Sequence, residues 1–331
     1  WDDACDLQYA LSIAVPDEEI WVAAGTYLPV DCSTCGLTEQ LTSFNMKSGV
    51  AVYGGFERND TDFSQRDWAN NVTILSGHIG DTEDLTDNSH HVVAAINNVD
   101  EFAILDGFTI TGGYNFDEAA AVDGAGVYVA VSSNPTLRNL NISNNYASGH
   151  GGGLYSHHSG PILDNVTFSS NQAQLNGGGM ASVDNSGPSM DDVRFIQNTA
   201  ANGGGYFNEN SELKLNIGSF EQNTSSINGG GVYSLITDVG IVADLNDTNF
   251  ISNTAEIQGG GIYFTNTFTS TYLAINHSVF RGNEADEGGG LYNHQSSPTI
   301  DDVTFDGNKA KTGGGIYSYQ DSDPELINVI F

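Results

Sequence analysis

The chain has 331 residues with 42 acidic against 9 basic side chains, a formal net charge of −33. Such a field excludes nucleic acid and anionic lipid surfaces as natural partners and favours bound cations. No run of 18 apolar residues exists, which excludes a spanning helix.

The first segment, "CDLQYALSIA" over residues 5–14, puts Leu7, Leu11 and Ala14 on one helical face. That spacing predicts a short helix capping the open end of whatever follows. All three cysteines lie early, at Cys5, Cys32 and Cys35. In an extracellular chain they predict one disulfide, Cys5 with Cys32 or Cys35, stapling the cap to the first structural unit. The Cys32-x-x-Cys35 pair sits in a polar loop rather than before a helix, so a thioredoxin-like role does not fit. A zinc site would need a fourth ligand, and no spacing in the sequence places one. Residues 18–27 and 49–56 read as strands, and "LDGFTI" over 105–110 opens a spacing that recurs later. Between these segments lie long insertions at 28–43, 57–70, 78–91 and 112–123. Insertions on a repeat protein decorate one side, where function is normally built. The insertion "GDTEDLTDN" gathers Asp81, Glu83, Asp84 and Asp87, oxygen ligands dense enough to suit calcium. It lacks EF-hand spacing, so a solvated acidic loop is the competing reading.

From residue 124 a repeat takes over. Gly-Gly-Gly triplets begin at Gly151, Gly177, Gly203, Gly229, Gly259, Gly288 and Gly313, in steps of 25 to 30 residues. Each is followed by an aliphatic residue and usually Tyr, then by blocks such as "LDNVTF" at 163–168 and "IDDVTF" at 300–305. Three residues past each Phe comes an Asn, at Asn171, Asn198, Asn223, Asn253, Asn283 and Asn308. Short β-branched and aromatic runs between Gly, Asn, Ser and Asp read as strands, not helices. Leu163 and Val166 both face inward only if Asp164-Asn165 turns a corner, which Asn and Asp tolerate. Each unit therefore predicts three short strands: Gly-Gly-Gly-aliphatic-Tyr, Pro-x-Leu and Val-Thr-Phe.

The fold class that follows is all-β: a right-handed parallel β-helix solenoid of roughly 11–12 coils. Residues 1–123 form the cap and irregular coils, and 124–331 the regular coils of the same body. Coils about 4.8 Å apart stack identical positions into ladders. Phe168, Phe195, Phe220, Phe250, Phe280 and Phe305 predict a buried aromatic column, and the Asn series an amide column. The set Tyr128, Tyr155, Phe207, Tyr233, Tyr263, Tyr292 and Tyr317, broken by Ala181, predicts an outward aromatic ladder. It suits sugar rings or another protein surface, unless the rings merely stack on one another beside the glycines. The triplets predict a bare, flat strand face open to a polymer. The last repeat block presents an edge that could template another strand, allowing end-to-end self-association. His157, His158 and His294 follow the Tyr strand without a pattern of their own.

The Gly-Gly-x-Ile and Phe-x-x-Asn elements resemble the repeats of polymorphic outer-membrane-protein adhesins, which carry Ala where this chain keeps a third Gly. The opening, "EIWVAAGTYLP", "GVAVYGGF", "QRDW", "TILSG" and "LDGFTITGG", resembles large secreted bacterial β-helix proteins with pectate-lyase-like architecture. The resemblance implies a bacterial cell exterior and an adhesin or filament component, with polysaccharide or protein partners and no required cofactor beyond possible calcium. It also implies an alternative, a polysaccharide lyase or hydrolase with its cleft on the N-terminal insertions, because the superfamily hosts many activities. Lyases of this fold pair an Arg or Lys base with calcium-binding acids, and Arg58, Asp62, Arg66 and Asp67 are the suggestive cluster. The plainer role of Arg66 and Asp67 is to fix their loop. Gly149-His150-Gly151 matches the Gly-His-Gly of pectinase-type hydrolases in letters, but the slot of His150 is elsewhere Asn, Gln, Glu or Thr.

Overall fold

The computed structural model describes residues 5–30, 36–81, 84–116, 122–266 and 272–331. Its strands pair in parallel and stack as a β-solenoid. One sheet path climbs through eleven strands, from Glu19–Ala23 to Glu325–Ile327, and so runs through both sequence segments. A second path holds ten strands, ending at Ile316–Tyr319, and a third holds six, from Tyr114–Asn115 to Thr254–Ala255. No helix among the described residues is long and apolar enough to cross a membrane.

The expected corner is present and sharp. Asn139, Asn165, Asp192, Ile217, Asp247, His277 and Asp302 occupy it with φ between 47° and 61°. Asn and Asp dominate because their short polar side chains tolerate the left-handed region, whereas Ile217 adopts it against its β-branched preference. At Asn165 the strand continues through the corner, with Leu163 paired to Met190 and Phe168 to Phe195 on either side, whereas at His277 and Asp302 the two arms are separate strands. The two predicted strands are thus arms of one bent strand, Ile162–Ser169. A short strand after the Asn, such as Gln172–Ala173, supplies the third side.

The glycine triplets differ from expectation. Strand Tyr206–Glu209 begins after its triplet, and Gly203, Gly204 and Gly205 are buried. Gly203 has φ 61°, turning the chain into the strand. A Cβ on Gly204 would lie 2.4 Å from the Thr224 carbonyl oxygen and 2.6 Å from that of Gly230. A Cβ on Gly205 would lie 2.8 Å from the Phe220 ring. The triplet is therefore a buried corner where backbones of successive coils converge and a core ring seats, not an open face.

Inside, the predicted Phe column is continuous. Successive centroids from Phe168 to Phe305 lie 4.9, 4.6, 5.0, 4.5 and 4.7 Å apart, and none of the six residues is more than 4 % exposed. Burying each ring contributes about 1.5–3 kcal/mol of transfer free energy. Beside it runs the Asn column. Asn198 Oδ1 accepts from both the backbone and side-chain N–H of Asn171, at 3.0 and 3.1 Å. Its Nδ2 donates to the Phe168 carbonyl at 2.9 Å and to Asn223 Oδ1 at 3.0 Å. The same bonds recur from Asn145 to Asn308, so buried amides are satisfied coil by coil.

The N-terminal cap forms as the spacing predicts. Helix Leu7–Ile13 buries Leu7 and Leu11, and the Asp6 carboxylate accepts from the N–H groups of Gln8 and Tyr9. Gln8 Nε2 ties the helix to the Pro29 and Ser43 carbonyls at 2.9 and 3.0 Å. Cys5 is exposed, and its expected partners Cys32 and Cys35 lie outside the described residues.

Candidate binding groove

Within the insertion at 57–70, local polar contacts shape the turns. Asp62 accepts from Ser64 N–H and Oγ at 2.8 and 2.5 Å, capping the 3-10 turn Phe63–Gln65. Those bonds hold the Asp62 carboxyl below the usual carboxylate range. Asp67 Oδ2 accepts from Asn70 Nδ2 at 2.8 Å, and its backbone N–H donates to the Gly55 carbonyl at 2.9 Å.

Arg66 anchors the insertion to two coils. Its Nε donates to the Gly54 carbonyl at 2.6 Å, and its Nη2 donates to the Asp106 carbonyl at 2.8 Å and to Asp106 Oδ1 at 2.5 Å. The ion pair is buried, with side chains 8 % and 5 % exposed. Asn139 Nδ2 adds a second donor to the same carboxylate oxygen at 2.8 Å. The guanidinium also sits over the Tyr53 and Phe63 rings, 5.4 and 5.8 Å from their centroids. With Nε and Nη2 engaged and the side chain 8 % exposed, little of this cation is left to a substrate. Arg58 lines a different recess of about 840 Å³, beside Glu19, Trp21, Tyr27 and Asp60. The structure does not gather Arg58, Asp62, Arg66 and Asp67 around one point.

What the anchored loop creates is a groove of about 370 Å³ on the outward face of the bent strands. Trp68, Ala69 and Val72 form its wall. Gly55 and Gly107 make room for that wall: a Cβ on either would fall within 2.5 and 2.8 Å of Trp68 atoms. The floor is one register column, Thr109, Asn141, Thr167 and Arg194, paired coil to coil. Asn139 and Asn165 border it, linked by a 2.8 Å amide hydrogen bond. Trp68 is 40 % exposed, and Arg194 reaches Asp192 at 2.8 Å with nearly half its side chain in solvent. An aromatic face beside hydroxyl, amide and guanidinium groups suits a hydroxyl-rich ligand crossing several coils. The described residues lining it include no carboxylate or imidazole, and Arg194 is the charged side chain among them.

Of the two readings of the Tyr series, the rings are found stacked on one another. Its rings face away from the central core and stack, with centroids 5.2, 4.8, 5.1 and 5.4 Å apart from Phe207 to Tyr317. Tyr155, Phe207, Tyr263 and Tyr292 are only 8, 4, 9 and 3 % exposed, and Tyr128, Tyr233 and Tyr317 are half-buried. Coil spacing is close to the thickness of a ring, so each ring covers its neighbour's faces and leaves only edges. Burial accordingly pushes the hydroxyls of Tyr233 and Tyr292 up to about 12. The break at Ala181 is covered by His150, whose ring lies 6.4 Å from Tyr155 and 6.0 Å from Phe207. The His150 Nδ1 meets Asn176 Nδ2 at 3.1 Å, which fixes the ring in this seam.

In the acidic insertion, Asp84 Oδ1 accepts from the N–H and Oγ1 of Thr86 at 2.9 and 2.6 Å, which holds its carboxyl below the usual range. Asp87 Oδ2 accepts from the Asp81 N–H at 2.8 Å. Glu83 lies outside the described residues. These carboxylates organise the turn Leu85–Asp87.

Sequence reasoning placed Thr167 outward but not Trp68 above it. The signal was in the letters: Asn141, Thr167 and Arg194 each precede the inward residues Ile142, Phe168 and Phe195, and so form an outward ladder.

The model of the Chlamydia polymorphic membrane protein repeat matches residues 139–157 and 302–319. Each match starts at the left-handed corner, crosses the core position and the Asn ladder, and ends in the Tyr strand. No curated protein and no solved structure matches the chain. The chain is a parallel β-solenoid repeat protein whose repeats resemble those of the polymorphic membrane protein adhesins.

Proposed function

We propose that this chain is an adhesin-like β-helix displayed on a bacterial outer surface, binding a polysaccharide strand in the groove beneath Trp68. The repeat match supports the surface-exposed, adhesin-like part of the reading. The groove carries the ligand class, because an exposed indole stands beside a Thr, Asn, Thr, Arg column that runs from coil to coil. Such a column presents donors and acceptors at the coil repeat of about 4.8 Å, close to the rise of a sugar unit. The engaged state of Arg66 supports binding over cleavage, since this arginine of the insertion already serves Gly54 and Asp106, while Arg194 in the floor is left to contact a ligand.

The test is a titration of the intact chain with soluble neutral and anionic polysaccharides, followed by tryptophan fluorescence and by assay for new reducing or unsaturated ends. Binding is expected without new ends, and Trp68→Ala should weaken it about tenfold, the scale of one lost aromatic contact. Equal binding by Trp68→Ala overturns the groove. Release of new ends overturns the binding-only reading. Antibody labelling of intact cells checks display, and labelling confined to lysed cells contradicts it.

A further inference from the structure

We infer that His157, His158 and Asp184 form a surface site for a divalent transition-metal ion of the zinc, nickel or copper class, bridging two coils. Among the described residues this is the one three-donor group, its ligand atoms all within 4.8 Å of one another. It lies on the side of the molecule that carries the Tyr strands, and no part of it lines the groove.

The fold brings the donors together through register. His157 ends strand Leu154–His157 and pairs with Val183, so His158 and Asp184 are the next neighbours across the coil spacing. Consecutive strand residues ordinarily point to opposite faces. His158, with φ 48°, and Asp184, with φ 51°, both leave the strand in the left-handed region, which turns the second imidazole back beside the first. The two rings stand 4.1 Å apart. His157 Nε2 lies 3.2 Å from Asp184 Oδ2. Metal–nitrogen bonds of about 2.0–2.1 Å at tetrahedral angles imply donors about 3.3–3.4 Å apart. One edge of the polyhedron is therefore already near its length, and the remaining donor belongs to an exposed side chain free to rotate inward. The Tyr155 ring stacks on His157 at 6.3 Å and 14°, orienting it from the buried seam.

Chemistry selects the ion. Two imidazole nitrogens and one carboxylate suit zinc, nickel or copper, whereas calcium and magnesium need more oxygen ligands. A net charge of −33 raises the local concentration of any cation. The repeat supplies an internal control. His294 occupies the equivalent strand end, but its neighbours are Gln295 and Gln320, so its coil lacks the three-donor set.

The experiment is calorimetric titration of the full chain with Zn²⁺ and with Ni²⁺ after alkylation of its cysteines, so that thiolates do not compete. One equivalent should bind. His157→Ala and His158→Ala should each weaken binding at least about tenfold, since even outer-shell losses cost 10–100-fold. His294→Ala should leave it unchanged. Zn²⁺ should raise Tm in the wild type and not in His157→Ala, because the ion spans two coils of the folded state only. Circular dichroism confirms that these surface variants fold. Absence of one-site binding, equal affinity in His157→Ala, or equal loss in His294→Ala overturns the site.

Discussion

Removing one rung of the Asn ladder isolates the interaction that the repeat is built around. Asn198→Ala deletes an amide that is 0 % exposed and makes four side-chain hydrogen bonds. The Asn171 backbone N–H loses its acceptor and the Phe168 carbonyl loses this donor, in a seam that water does not reach. At about 1–3 kcal/mol for each stranded group, the substitution should cost about 2–6 kcal/mol. Asn202, in the same coil, is the control. It is half-buried and gives one side-chain bond, to Asn176 Oδ1 at 2.9 Å, so water can replace it. Asn202→Ala should cost less than about 1 kcal/mol. Urea unfolding followed by circular dichroism reads both variants against the wild type. A midpoint shift for Asn198→Ala no larger than that for Asn202→Ala would refute the ladder as a stabilising element.

Three further outcomes follow from the same geometry. Gly205→Ala forces a Cβ to 2.7 Å from the Gly231 carbonyl oxygen and 2.8 Å from the Phe220 ring, and should lower stability by about 1–3 kcal/mol. Gly187→Ala, whose Cβ meets nothing closer than 3.8 Å, should stay within about 0.5 kcal/mol in the same urea assay. Arg66→Met leaves the Asp106 carboxylate buried with only Asn139 as a side-chain donor, and should cost about 3–5 kcal/mol. Adding Asp106→Asn should recover part of that loss, and a double variant worse than the sum of the singles would contradict the pairing. At alkaline pH, Tyr233 and Tyr292 should ionise near 12 in the folded chain, while exposed tyrosines ionise near 10. Because burial raises these values above the unfolded one, their stability contribution is intact below pH about 10 and is lost as pH rises through 12. Ultraviolet absorbance of phenolate against circular dichroism checks this, and a single transition near 10 with the fold intact would contradict the buried seam.

How legible was this in the sequence? The Phe and Asn columns were, because Phe-x-x-Asn recurs with fixed internal spacing and stacking converts spacing into ladders. The corner was legible at Asn165 and Asp302, whose residue types announce the left-handed region, but not at Ile217, where the letter argues against the conformation. Strand alternation gave the direction of Tyr155 and Tyr263 but left open whether the rings face solvent or cover one another. Periodicity says which way a ring points, not how closely the next coil closes over it. The triplets misled for a related reason: a residue without a side chain looks like open space until a carbonyl and a ring are found filling it. The groove needed a contact no local pattern encodes, Arg66 reaching Asp106 across 40 residues. The pairing of His157 with Asp184 likewise depends on register between coils, 27 residues apart.

The account rests on coils held in register by a buried amide seam, and exchange of the Asn side-chain amide protons with deuterium, followed by NMR, tests it most directly. The Nδ2 protons of Asn171, Asn198, Asn223, Asn253 and Asn283, each held between a carbonyl and the next Asn, should exchange far more slowly than those of exposed Asn70. Exchange of those five amides as fast as that of Asn70 would mean the seam is open to water and the stacked coil arrangement is wrong.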